Sequence, residues 1–352
     1  MRIEQLTFTR FIAALLIVIF HAGLDVFPFN LNRFMFSGAN VGVSYFFVLS
    51  GFVMIIAYHQ KQTISVFEYL RNRFARIYPL YALALFLLLG YYMVGTNVGI
   101  SSKEVLLSLL MIQSWVPGKA LILNFPGWSL SVELFFYVSF PILFNFVYRK
   151  FSLKKILIPC ILFFVLSQAV FIYAFYSPYY EGFKTASHDL LFYFPVMHLN
   201  EFILGNLAGL YLVNRKDWKP RNNSIYIIGS IIICGLVLTY SHTAMIYHNG
   251  LLSLIFIPLI LWIATDNSWI STLSKKKFFV HLGEISYGVY ILQIPVFVVT
   301  RRVLIYLGIE NKTIIFYATL LSLLVFSSIT YTYIEAPLRK RIKNIKFVAA
   351  KR

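Results

Sequence analysis

Ten apolar runs, each long enough to cross a bilayer, take up nearly all of this 352-residue chain: 6–24, 39–58, 78–96, 128–148, 156–176, 190–213, 224–241, 249–265, 282–308 and 313–334. Hydrocarbon offers no water to backbone N–H and C=O groups, so such runs must close their own hydrogen bonds as helices. The runs therefore dictate an all-α fold, a polytopic membrane helix bundle of about ten transmembrane helices. A further run, 104–116, is too short to span and reads as a re-entrant or interfacial segment. Charged residues make up 12% of the chain, where a soluble domain carries nearer a quarter. No linker, low-complexity segment or repeat divides the sequence. It reads as one integral membrane domain over 1–340 and a basic cytoplasmic tail over 341–352. No small-residue cleavage site follows the first run, so that run is expected to stay as a span. Any chemistry must then lie in the bundle or its loops.

A formal net charge of +18 would suit a nucleic-acid partner, but its distribution argues against one. With the N-terminus in the cytoplasm, 24 of the 31 Lys and Arg residues fall at the N-terminal end, in the 59–77, 149–155, 214–223 and 266–281 connections, and in the tail. That is the positive-inside pattern, with both termini cytoplasmic. If 104–116 crossed fully, the later clusters would change sides. The charge is thus mostly topological, and no nucleic acid is implied. Cys160 and Cys234 both fall in apolar runs and are expected to be buried free thiols, with no metal-binding spacing around them.

Against this background a few polar residues stand out. Arg10 and His21 lie in the first run with ten residues between them, almost all of them large and apolar. Eleven helical steps of about 100° return to within about 20°, so both project from one face, about 16 Å apart along the axis. Ionisable groups at membrane depth are costly and by default functional, and imidazole is the usual proton-transfer group near neutral pH. The competing reading makes Arg10 an interfacial anchor and His21 a satisfied bundle histidine. Residues 42–52, GVSYFFVLSGF, carry Gly42, Ser44, Ser50 and Gly51, small side chains that allow close helix approach. Arg73 and Arg76 stand three apart at the cytoplasmic start of the third span, a pairing that suits phosphates or simply marks topology. Pro79 just after them is a helix-start cue.

The fourth span opens with PGWSLSVELFFY, residues 126–137. Trp128 fits an interfacial anchor, and Glu133, about one and a half turns in, needs a partner. His21 is at the same end of its own span, so a His21–Glu133 pair at similar depth is one expectation. The alternative binds Glu133 to a neighbouring helix. Residues 283–295, GEISYGVYILQIP, place Tyr287, Tyr290 and Gln293 as internal hydrogen-bonding groups. The closing YIEAPLRK, 333–340, reads as structural, with Glu335 against nearby arginines.

Arg10 and His21 at their spacing, GVSYFFVLSGF, Arg73-x-x-Arg76 before Ile-Tyr-Pro, WSLSVE, ISYGVYILQ and IEAPLRK, in this order, resemble the acyltransferase-3 family of membrane O-acyltransferases. The resemblance runs from about residue 4 to 340. It implies transfer of an acyl group, commonly acetyl, from cytoplasmic acyl-CoA to an acceptor hydroxyl, often of a bacterial surface glycan or a lipid-linked sugar. It also implies a multi-pass place in the bacterial cytoplasmic membrane, with lipids and substrates as the partners and acyl-CoA as co-substrate without a metal. By position, His21 matches the family's catalytic histidine, Arg10 its partner arginine, Arg73 and Arg76 the pair on the acyl-CoA side, and Glu133 the acidic residue of the Trp-Ser-Leu-Ser motif.

Two positions depart from the family pattern. Many members have Leu-Asp-Gly-Leu-Arg where this chain has Leu6-Thr7-Phe8-Thr9-Arg10, and many have a histidine where it has Gln293, which leaves Gln293 outside the catalytic set. A mechanism with His21 as general base or acyl carrier follows from the resemblance, and an Arg or a Ser hydroxyl would stabilise the oxyanion, with Ser50 and Ser131 as the candidate serines. The rival reading is a transporter or flippase of a lipid-linked glycan. It would be expected to show two related halves, and the sequence has no such symmetry.

Overall fold

The computed structural model describes residues 3–95, 99–215, 219–240 and 247–345. The expectations placed on Arg2, Lys216 and residues 346–352 of the basic tail lie outside the described residues. The chain is helical throughout, and one isolated bridge between Arg221 and Asp266 is its nearest approach to a strand among the described residues. The long helices are α1 (Gln5–Ala22), α2 (Gly42–Tyr58), α3 (Val66–Gly95), α4 (Trp128–Leu143), α5 (Leu153–Phe175) and α6 (Leu199–Asn214). They continue with α7 (Ser224–Thr239), α8 (Ser253–Ala264), α9 (Lys277–Ile291), α10 (Gln293–Tyr306), α11 (Lys312–Thr330) and α12 (Ala336–Lys343).

Among the described residues seven helical segments are long and apolar enough to cross a membrane, or eight if the bent α9–α10 pair is one span. The expected ten is not reached. α7 and α8 have only 16 and 12 residues, about 24 and 18 Å of helix against a hydrocarbon core of about 30 Å. The 104–116 run forms an eight-residue helix, Ser102–Leu109, capped by Ser101 and Glu104, and then a 3-10 turn. At about 12 Å that helix cannot cross.

Two helix pairs set the frame, α2 against α6 and α1 against α9, and glycine makes both possible. A Cβ at Gly51 would collide with the Phe202 carbonyl, and one at Gly205 with the Val48 carbonyl. A Cβ at Gly283 of α9 would strike the Thr7 carbonyl of α1. Backbones this close gain dispersion contacts that larger side chains would forbid.

Three irregularities shape the interior. α3 begins twelve residues before the expected span, so Arg73 and Arg76 lie on helix and not in a loop, and Pro79 sits inside it. The 282–308 run is not one straight helix: α9 and α10 meet at Leu292 with a 75° bend. Pro295, in the first turn of α10, has no N–H to give Ile291, and Asn124 Nδ2 bonds the Ile291 carbonyl instead, at 3.0 Å. Gln293 Nε2 bonds the Tyr290 carbonyl at 2.6 Å. Side chains thus satisfy the carbonyls that the break exposes, as buried backbone requires. Finally, a π-helical stretch, Tyr331–Glu335, joins α11 to α12. Cys160 and Cys234 are free thiols, half-buried and not fully buried.

Candidate active site

A cavity of about 330 Å³ opens where α1, α2, α3, α4, α9, the π stretch and α12 converge. Each helix brings residues from a stretch that stood out in the sequence. α1 supplies Arg10, α2 Phe46 and Ser50, α3 Arg73 and Arg76, α4 Glu133 and Tyr137, and α9 Glu284 and Tyr287. Tyr331 and Glu335 of the π stretch and Arg339 of α12 complete the wall. The volume falls at the lower end of the roughly 300–1,000 Å³ of ligand pockets.

The charges in this cavity are unevenly matched. Four arginines face three glutamates. Among the described residues, Arg339 has a carboxylate partner inside 4.0 Å, Glu335 at 3.9 Å. Among the described residues Arg10, Arg73 and Arg76 have no such ion pair, and their Coulomb partners Glu133 and Glu335 act from further off. Glu133 accepts a hydrogen bond from Tyr137 Oη at 3.1 Å. The Arg73 guanidinium lies over three tyrosine rings, 5.2 Å from the Tyr69 centroid and 5.8 Å from those of Tyr58 and Tyr137. Its buried Nε has no hydrogen-bond partner. Ring faces hold a cation in place and leave its N–H edge available. Buried charge is stable only when paired, so this set of arginines suits an anion that enters from outside.

His21 is not among the residues that line the cavity. It stands near the far end of α1 from Arg10, where Nδ1 lies 2.7 Å from Gln293 Oε1 and its ring meets Phe125 edge-on at 4.7 Å. Gln293 is tethered by its NH₂ to the Tyr290 carbonyl, which turns its oxygen toward the imidazole. Nδ1 must therefore carry the proton, and Nε2 keeps a free lone pair. The expected His21–Glu133 pair does not form. Phe125 is the residue of this region that meets His21, and Glu133 lies eight residues further along, about 12 Å of helix away. α9 leads from one place to the other: Glu284 and Tyr287 face the cavity, Tyr290 bonds Ser129 and the Pro126 carbonyl a turn later, and Gln293, the first residue of α10, reaches His21.

Arg10, Arg73, Arg76 and Glu133 are brought together around one cavity, and His21 is set apart with Gln293. The closing IEAPLR group, read as structural with Glu335 against nearby arginines, places Glu335 3.9 Å from Arg339, and both also line the cavity. Two corrections apply. Trp128 is not an interfacial anchor but is buried against Tyr193, His198 and His248. Ser50 lines the cavity, whereas Ser131 is buried outside it, with no hydrogen-bond partner for its hydroxyl among the described residues. Glu284 was missed, although an acid in an apolar helix is the same signal that marked Arg10. No cluster of three or more His, Cys, Asp or Glu able to hold a metal occurs among the described residues.

Comparison with known proteins gives this convergence a context. The pattern of a family described as an acyltransferase domain matches residues 3–333. This chain belongs to the acyltransferase-3 family. Within that family's curated relatives, it is 39% identical over 124 residues to the acyltransferase MdmB of Streptomyces mycarofaciens, covering 33% of this chain and 31% of that protein. It is 22% identical over 384 residues to the O-acetyltransferase OatA of Staphylococcus aureus, covering 100% of this chain and 61% of that protein. The chain thus spans less than two thirds of either of these relatives. No solved structure matches it.

Proposed function

We propose that this chain is a membrane O-acyltransferase that moves an acyl group, acetyl by family, from cytoplasmic acyl-CoA to a hydroxyl of a cell-envelope or exported glycan. The observation that carries the reading is the cavity in which Arg10, Arg73 and Arg76 lack a carboxylate within 4.0 Å among the described residues. Guanidinium groups make bidentate, charge-assisted bonds to phosphate. In this reading CoA phosphates rest on Arg73 and Arg76, and the pantetheine arm runs past Arg10 along α9 toward His21. The acceptor hydroxyl gives its proton to His21 Nε2, its oxygen attacks the thioester carbonyl, and the CoA thiolate leaves and takes that proton. An acyl-histidine route would use the same lone pair. The sequence-derived orientation, with cytoplasmic termini and the arginines at the cytoplasmic end, belongs to this proposal, as does a place in the bacterial cytoplasmic membrane.

The broken α9–α10 pair favours one other reading, a transporter or flippase of lipid-linked glycan, because discontinuous helices line transporter sites. The same experiment separates the two. Purified protein incubated with acyl-labelled acetyl-CoA and surface glycan from a strain lacking the gene should transfer label, and the His21→Ala protein should not. An intact thioester in the presence of wild-type protein and acceptor overturns the acyltransferase reading and leaves the transporter.

A further inference from the structure

We infer that α12 completes the donor site, and that Lys343 binds the outermost phosphate of a coenzyme A donor, the 3′-phosphate of its ribose. This rests on the acyl-CoA reading above and adds a residue that neither the sequence motifs nor the cavity lining includes.

The argument begins with spacing. Tyr331, Glu335, Arg339 and Lys343 follow one another at four-residue intervals through the π stretch and α12. Such positions stack on one helix face, drifting by about 40° per step. The first three line the cavity. Lys343 is the next position on the same stripe, on a helix that packs along α3, the helix that carries Arg73 and Arg76. The stripe also leads outward, from Glu335 at 3% exposure through the Arg339 side chain at 32% to an exposed Lys343.

α12 is held in place beside the arginines. It packs along α3, and Arg71 Nη1 donates to the Ile345 carbonyl just beyond its end, at 2.7 Å. Cations crowded like this repel one another, and Lys343 has no carboxylate within 4.0 Å among the described residues. The arrangement is therefore most stable with anion between them. Coenzyme A carries two separated anionic groups, a diphosphate next to the pantetheine arm and a ribose 3′-phosphate farther from the thioester. The inner arginines and the outer lysine present cations in that order. A phospholipid headgroup offers phosphate chemistry too, so the test must separate the two sources.

The experiment measures binding of coenzyme A and of 3′-dephospho-coenzyme A to the full chain in nanodiscs of phosphatidylcholine, at low salt. Wild type should prefer coenzyme A. Lys343→Glu should weaken coenzyme A by roughly tenfold or more, the scale of one lost charge-assisted contact, and leave dephospho-coenzyme A within about twofold. Lys343→Ala should show the same selectivity loss, smaller in size. Because Lys343 is exposed, neither change should disturb folding, and unchanged dephospho-coenzyme A binding reports that directly. Equal loss for both ligands, or none for either, overturns the inference while the acyl-CoA reading stands. A change that appears only when phosphatidylglycerol is added overturns it also and assigns Lys343 to lipid phosphate. If wild type binds neither ligand, the acyl-CoA reading itself fails and this inference falls with it.

Discussion

His21 owes its proposed reactivity to the amide beside it. With Gln293 accepting from Nδ1, Nε2 is left as the only proton acceptor on the ring. His21→Ala should lower acyl transfer by about 10²–10⁴-fold, the usual loss on removing a general base, and His21→Gln should be nearly as inactive. Gln293→Ala should fall between wild type and His21→Ala, because the tautomer is no longer fixed but the base remains. Transfer rates at matched expression check this, and wild-type rates in His21→Ala would remove the residue from the mechanism. Arg73 and Arg76 present a second test. Their double Ala variant should weaken acyl-CoA binding by the loss of two charge-assisted contacts, each about 1.5–3 kcal/mol before compensation. The double Lys variant should recover only part of it, since lysine cannot bind phosphate bidentately or stack flat on the tyrosines around Arg73. Unchanged affinity in the Ala variant would reduce both arginines to topology signals.

At the scale of elements, close backbone approach between α2 and α6 carries much of the frame. Gly205→Ala should force the helices apart and lower the thermal midpoint, at an overpacking cost of about 1–3 kcal/mol. Gly229→Ala in α7 meets nothing within 4 Å and should cost nothing. Equal effects of the two would contradict the tight α2–α6 contact. The short helix Ser102–Leu109 carries a pH signature. A hydrogen bond from the Lys119 ammonium, helped by the Ser101 N–H, holds the Glu104 carboxyl below its usual range. A lowered carboxylate pKa stabilises the fold above about pH 4.3, and that contribution disappears as pH falls through the folded-state value. Glu104→Gln should therefore cost less than about 1 kcal/mol at pH 7, the pair being partly exposed, and less at pH 3 than at pH 7. Thermal melts at the two pH values check the sign.

At the scale of the whole molecule, the proposed orientation puts both termini, the 149–155 connection and Lys275 to Lys277 in the cytoplasm. After replacement of Cys160 and Cys234, single cysteines at 152 and 276 should resist a membrane-impermeant thiol reagent applied to intact cells. One placed at residue 30, between α1 and α2, should react. Strong outside labelling at 152 would overturn the orientation and require another crossing before it. The same architecture explains why the arginine cavity and His21 are separate places. Both belong to α1, but α1 is long enough to hold them about 16 Å apart. A donor would have to bridge that length from its phosphates to its thioester.

The sequence by itself determined the helical class, because apolar runs of this length leave the backbone no other way to satisfy its hydrogen bonds in lipid. It also picked out Arg10 and Glu133, since charge in an apolar run is conspicuous without any structure, and Arg73 and Arg76 by their three-residue spacing just before the third run. Tertiary structure alone decided their grouping. Helical periodicity relates residues within one helix, such as Arg10 and His21, but carries no information on the depth at which another helix sits. Glu133 therefore fell among the arginines and not beside His21, and Gln293 took that place. At the break that delivers Gln293, the freed Ile291 carbonyl is bonded by Asn124, 167 residues away in the chain. The sequence read the Glu335 stretch as structural, with Glu335 against nearby arginines, and only the π stretch and the packing of α12 on α3 put Glu335 and Arg339 on the cavity wall. Local pattern named the chemical groups, and packing between distant segments chose their partners.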